Sequence, residues 1–197
     1  MGFLADKCIF SPLTEDIITQ ATAFSCGNED LDDFFHLDSI AYSRELFGKT
    51  YCFYKEDNPS EIICAFTVSN ASIFTNRLPN ARKKKVGKQV PHEKHDLIYP
   101  AVLIGRFGID VNYQHKHIGS ELMQFIKVWF IEPANKTGCR YLEVDAYNTA
   151  TPLSFYKNNG FDFIFSTEEQ EKQYRNIISG DSLKTRLMFF DLMRIEK

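Results

Sequence analysis

Residues 99–110, "YPAVLIGRFGID", limit the fold more than any other stretch of the chain. Apolar side chains fill the run almost without interruption, so an extended segment here has no face suited to water. Such a strand belongs inside a sheet that is covered on both sides. The polar "VNYQHKH" follows directly, and then Ile118, Leu122, Phe125, Ile126 and Trp129 fall on one side of a helix. A buried strand, a tight polar loop and an amphipathic helix in succession point to an α/β (α+β) fold.

The flanking segments extend this reading. "TEDIITQATAF" (14–24) reads as a short helix capped by Thr14, and "NEDLDDFFHLDSIAYSRELF" (28–47) as a longer one capped by Asn28. Leu31, Phe34, Phe35, Ile40 and Leu46 follow helical spacing only roughly in the second. "KTYCFYKE" (49–56) and "EIICAFTVSNASI" (61–73) form a hairpin around "DNPS". Residues 75–98 read as a polar, basic loop. "RYLEVDAY" (140–147) is a strand, and "TPLSFYKNNG" (151–160) a helix with Thr151 as N-cap, Pro152 at N1 and Gly160 as its stop. "FDFIF" and "TRLMFFDLM" supply two closing strands. The expectation is a single domain over residues 1–197, with a mixed, mostly antiparallel sheet and helices on both faces.

Bulk properties exclude several classes. The net charge of −3 does not suit a general nucleic-acid binder, so any such role needs a local patch. Five cysteines, odd in number and never in a CxxC pair, argue against a disulfide framework or a structural zinc site. The opening "MGFLADKCIF" has no long apolar core and no myristoylation serine or threonine, and no apolar run reaches a membrane span. A soluble, cytoplasmic protein is expected.

The loop after the buried strand carries the chemistry. First-turn amides of a helix lack helical partners, and the macrodipole adds partial positive charge there. Gly119 and Ser120 let a pyrophosphate approach the backbone, and Lys116 adds a point charge. A plain solvated loop is the bland alternative. His115 and His117, spaced i, i+2 without a nearby Cys or carboxylate trio, do not form a known metal-ligand pattern.

"GRFGIDVNYQHKHIGSELMQF" resembles the central motif of the GNAT acetyltransferases, Gln/Arg-x-x-Gly-x-Gly/Ala after a strand ending in Asp. Gln114 and Gly119 match the motif's ends, while His117 stands where its first glycine is usual. "FSCGNEDLDDFF", "GKTYCFY", "LIGRFGID" and "LEVDAYN…SFYKNNGF" recur in this order in the branch that includes tRNA-acetylating toxins of toxin–antitoxin pairs. The resemblance covers roughly residues 8–190.

The resemblance implies an N-acetyltransferase that uses acetyl-CoA, needs no metal, and acetylates a primary amine. Its implied cofactor contacts are Phe107, Gly108 and Ile109 for the pantetheine arm and carbonyl. Gln114, His115, Lys116, His117, Ile118, Gly119 and Ser120 would hold the pyrophosphate, and Asn148 would add a polar contact. Tyr156 stands where family members carry the tyrosine that protonates the leaving thiolate; the alternative is that it packs beside Leu153. Arg106 is either a satisfied core arginine or a cleft residue. Arg82, Lys83, Lys84 and Lys85, with His92, Lys94 and His95 beyond them, form either a solvated loop or a phosphate-contacting patch for tRNA. Partners consistent with the branch are tRNA, a small DNA-binding antitoxin and a second copy of the chain. A metabolic amine acetyltransferase and a non-catalytic acyl-CoA-binding module are the other readings.

Overall fold

The computed structural model describes residues 2–21, 24–88, 90, 98–135, 137–178 and 180–195. Its strands are β1 (Cys8–Pro12), β2 (Lys49–Lys55), β3 (Ile62–Phe74), β4 (Ile98–Ile109), β5 (Tyr141–Tyr147), β6 (Asp162–Phe163) and β7 (Thr185–Asp191). They form a sheet in the order β1-β2-β3-β4-β5-β7-β6. The pairs β1–β2, β2–β3, β5–β7 and β6–β7 are antiparallel, which gives the mixed α+β, mostly antiparallel architecture expected. The chain divides into two compact units, Met1–Ser69 with Ile104–Ile126, and Asn70–Leu103 with Lys127–Lys197.

In the first unit, α2 (Glu15–Gln20) starts where Thr14 Oγ1 accepts from the Ile17 amide, and α3 (Glu29–Asp33) where Asn28 Oδ1 accepts from Leu31. Both caps are those read from the sequence. The long helix expected over 28–47 is instead α3, a π-turn at Phe34–Asp38, and α4 (Ser39–Arg44). A π-turn closes i→i+5 bonds and shifts the apolar stripe out of phase. This explains the poor periodicity, and it lets the adjacent Phe34 and Phe35 both be buried. These helices lay Ile17, Leu31 and Phe35 against Cys52 and Ala65 of β2 and β3. On the other face Phe10 and Phe53 meet Phe125, with ring centroids 4.8 and 4.9 Å away. The edge strand β1 and the short helix α1 (Phe3–Lys7) carry no clear period and were not legible in the sequence.

In the second unit, the segment expected to be loop at 75–98 contains a 3₁₀ turn (Thr75–Arg77) and α5 (Asn80–Val86). Leu78 and Val86 pack with Tyr141, Ile164 and Phe189, and the Tyr141 hydroxyl donates to the Val86 carbonyl at 2.7 Å. Two apolar residues spaced by eight, among polar ones, are too few to reveal a helix by pattern. His92, Lys94 and His95 lie outside the described residues. The helix α8 (Glu168–Arg175), "EEQEKQYR", also has no apolar stripe. It is held through the fully buried Glu171, whose carboxylate accepts from Arg175 and Arg186 at 2.7 Å each and from the Leu187 amide at 2.8 Å. "FDFIF" forms only the two-residue β6.

Candidate active site

The candidate residues fall in both units. Arg106 to Ile109 and Gln114 to Ser120 belong to the first, while Arg82 to Lys85, Asn148 and Tyr156 belong to the second.

The loop after β4 is tied down before it turns. Asp110, 5% exposed, donates its amide to Ile63 and accepts from Ser25 and Asn112 through its carboxylate. Gln114 points inward: its amide group donates to the carbonyls of Cys26 (2.8 Å) and Ile109 (3.0 Å). Gln114 therefore braces the loop through its side chain.

His115 and His117 have φ of 59° and 63°, in the left-handed region, while Lys116 between them does not. Each left-handed non-glycine residue costs roughly 1–2 kcal/mol, so two in one turn must be held in place by their surroundings. Alternating left- and right-handed residues aim successive amides into one concavity, the anion-binding nest. Where the motif's first glycine is usual, His117 thus adopts the conformation a glycine would supply. The His117 carbonyl then accepts from Ser120 and Glu121, which starts α6 (Ile118–Ile131). Ile118 is buried and anchors this end. Glu121, the first-turn acid, accepts from the Leu4 amide at 2.7 Å. Lys116 folds back to donate to the Asn112 carbonyl and lies over the Tyr113 ring. The Lys116 ammonium is thus engaged within the loop itself.

Gly108 and Arg106 of β4 have distinct surroundings. A Cβ at Gly108 would lie 3.0 Å from the Phe35 ring and 3.2 Å from Cys26 Cβ, so the protein itself packs closely against this glycine. Arg106 is neither a core arginine nor buried: it is exposed, and its guanidinium lies 4.7 Å from the Phe34 ring centroid. Phe107 and Ile109 are half-buried.

In the second unit, α7 (Ala150–Asn158) begins after Thr149, two residues earlier than expected, which moves Pro152 to the third helical position. Asn148 uses its amide group inside the fold, donating to Glu168 (2.9 Å) and to the Leu183 carbonyl (2.8 Å). Tyr156 occupies the last turn of α7. Its ring meets Phe155 and Phe161 edge-on at 5.2 and 5.4 Å. Desolvation pushes its phenol above the usual tyrosine value, so it is protonated at neutral pH.

The helix end beneath it is a closed Schellman motif. The Phe161 amide donates to the Tyr156 carbonyl and the Gly160 amide to that of Lys157, with Gly160 at φ 82°. The Gly160 stop was read correctly. Two cations outside the sequence expectations, Lys127 and Arg194, sit at this end. Lys127 stands between Met123 and Phe130 on the apolar side of α6, and a charge in that stripe was the available signal.

The basic run separates by role. Arg82 donates to the carbonyls of Phe163 and Ile164, and Lys85 pairs with Asp162 at 2.5 Å. Lys84 is exposed and Lys83 half-buried on the same helix. A cavity of about 510 Å³ near the start of α5 is lined by Asn76, Arg77, Gln170, Gln173 and Tyr174 among others.

A model of the acetyltransferase (GNAT) domain matches residues 51–162, more than half of the chain. The chain belongs to the GNAT acetyltransferase family. Its co-substrate is therefore acetyl-CoA. Solved structures share the fold over almost the whole length. AtaT complexed with acetyl-methionyl-tRNAfMet is 19% identical, with 95% of this chain and 96% of that one covered and a TM-score of 0.66. A mutant of KacT is 18% identical, with 96% and 97% covered and a TM-score of 0.65. AtaTR bound with AcCoA is 18% identical, with 96% of each chain covered and a TM-score of 0.60. Among the described residues of this acetyltransferase, no group of three or more His, Cys, Asp or Glu side chains is placed to hold a metal. No described helix is long and apolar enough to cross a membrane.

Proposed function

We propose that residues 1–197 act as one acetyltransferase that moves the acetyl group of acetyl-CoA to the α-amine of an aminoacyl-tRNA. The observation that carries the acetyl-CoA half is the nest at 115–117 leading into α6. There the backbone amides of His115 to Gly119 receive the pyrophosphate, the Ser120 amide being taken by the His117 carbonyl. Backbone groups of Phe107 to Ile109 hold the pantetheine arm and orient the thioester carbonyl. The amine nitrogen attacks that carbonyl, the C–S bond breaks, and Tyr156 gives its phenolic proton to the leaving thiolate. The proton lost by the amine passes to water, from which the phenolate is reprotonated. A phenol kept neutral by desolvation suits this role.

Two features support an RNA acceptor. Lys83 and Lys84 leave their charge outside the pairs made by Arg82 and Lys85, and Arg77 gives the nearby cavity a positive lining. AtaT was solved with an acetylated tRNA, and its tyrosine mutant with the C-terminus of the antitoxin AtaR. By the same reading this chain acts in the cytoplasm and is restrained by a small DNA-binding antitoxin.

Calorimetry tests the first half. Wild type should bind acetyl-CoA with micromolar-to-millimolar affinity, and Gly119→Asp should weaken binding at least tenfold through bulk and like charge at the phosphate. No binding by wild type would end the enzyme reading. Binding without thiol release in the presence of aminoacyl-tRNA or simple amines would leave a non-catalytic module.

A further inference from the structure

Lys127 is 5% exposed on α6, and a lysine is seldom buried so fully unless it holds something. Among the described residues it has no carboxylate partner. Desolvation, with the Arg194 charge beside it, brings its pKa down to about 8. Its ammonium donates to the Asn159 carbonyl at 2.6 Å and stands 4.1 Å from the Phe190 centroid and 5.8 Å from that of Phe161.

What these contacts hold is the end of α7. Asn159 is its C-cap, and the next carbonyl, Gly160, accepts from Arg194 at 2.8 Å. Two successive carbonyls at the negative end of the helix dipole each receive a cation. Arg194 also lies 3.7 Å from Asp162. The buried Phe161 ring touches both Phe190 and the Tyr156 ring. Lys127 thus grips the turn carrying Tyr156 through the backbone at 159 and through the ring of Phe161.

We propose that Lys127 is a positioning residue for Tyr156: with Arg194 it pins the last turn of α7 and so fixes the direction of the phenol. The proposal rests on Tyr156 being the proton donor. A lysine serving only global stability would leave the local turn and the chemical step alone.

Lys127→Met keeps the stem and removes the ammonium, and replacing a buried cation by an apolar group need not lower global stability. Amide hydrogen exchange at Gly160 and Phe161 should quicken about tenfold, with β5 and β7 unchanged, as expected when one charge-assisted bond is lost. The kcat should fall about tenfold with KM for acetyl-CoA unchanged, and adding Lys127→Met to Tyr156→Phe should slow it no further. Unchanged exchange at both amides overturns the proposal, as does full kcat despite faster exchange. A wild type that transfers no acetyl group removes the Tyr156 reading instead, and exchange alone then decides whether Lys127 pins the turn. Should Lys127→Met not fold, Arg194→Gln removes the other cation and gives the same readouts.

Discussion

At the residue scale, burial sets the proton affinity of two side chains, with different consequences. For Tyr156, desolvation keeps the phenol protonated, so the group is ready as an acid throughout the physiological range. Tyr156→Phe removes only the hydroxyl. In assays where chemistry limits turnover, kcat should fall roughly ten- to a thousandfold with acetyl-CoA affinity unchanged. An unaltered kcat would return the ring to a packing role. For Glu143 on β5, desolvation first and Asp145 second raise the carboxyl to about 7, against some relief from Arg175. One of its oxygens is buried without a partner. The unfolded chain ionises this group near its ordinary value of 4.5, so from about 4.5 to 7 the folded state binds more protons. Stability therefore falls as pH rises through that window and levels off above it. Glu143→Gln removes the loss and should stabilise the protein at pH 8 by on the order of 2 kcal/mol, with little effect at pH 4. Denaturant melts at both pH values measure this, and an equal shift at both would refute it.

At the element scale, what was legible depended on whether an element announces itself through its own side chains. β4 and α6 do, by a continuous apolar run and a helical stripe, and Thr14, Asn28 and Gly160 mark helix ends by chemistry that acts within a few residues. The turn at 115–117 was legible as a location, but its two left-handed histidines follow a loop tied by Asp110 and Gln114 to partners remote in sequence, which spacing could not show. The helices α5 and α8 were not legible because they are held from outside, by Arg82 on the 163–164 carbonyls and by Glu171 between two arginines. The same distinction separates the basic run into functions. Arg82→Ala strips donors from two carbonyls in a half-buried setting and should cost about 1–3 kcal/mol of stability. Lys83→Ala with Lys84→Ala should stay within about 0.5 kcal/mol. Urea unfolding compares them, and similar losses would mean that all of α5 is structural.

At the scale of the whole molecule, that separation makes the acceptor testable without confusing binding with folding. A net charge of −3 repels RNA as a whole, so RNA must be drawn in by local cations whose neutralisation of phosphates releases counterions. Turnover of an aminoacyl-tRNA should therefore fall steeply with salt, whereas turnover of a small amine should not. Removing Lys83 and Lys84 together should flatten the slope of log affinity against log salt by up to about two, since each phosphate neutralised on a duplex adds roughly 0.9 to it. Acetyl-CoA affinity should not move, because the nest at 115–117 depends on backbone amides in the first unit. In cells, the consequence of acetylating aminoacyl-tRNA is blocked translation. Induced expression of wild type alone should arrest growth, and Tyr156→Phe should relieve the arrest with the protein still folded and still binding acetyl-CoA. Harmless expression of an enzyme that turns over a small amine independently of salt would remove the tRNA acceptor and leave the acetyltransferase chemistry intact. The two halves of the proposed function thus fail separately, because one rests on a backbone nest and the other on two lysines that stand outside the pairs made by Arg82 and Lys85.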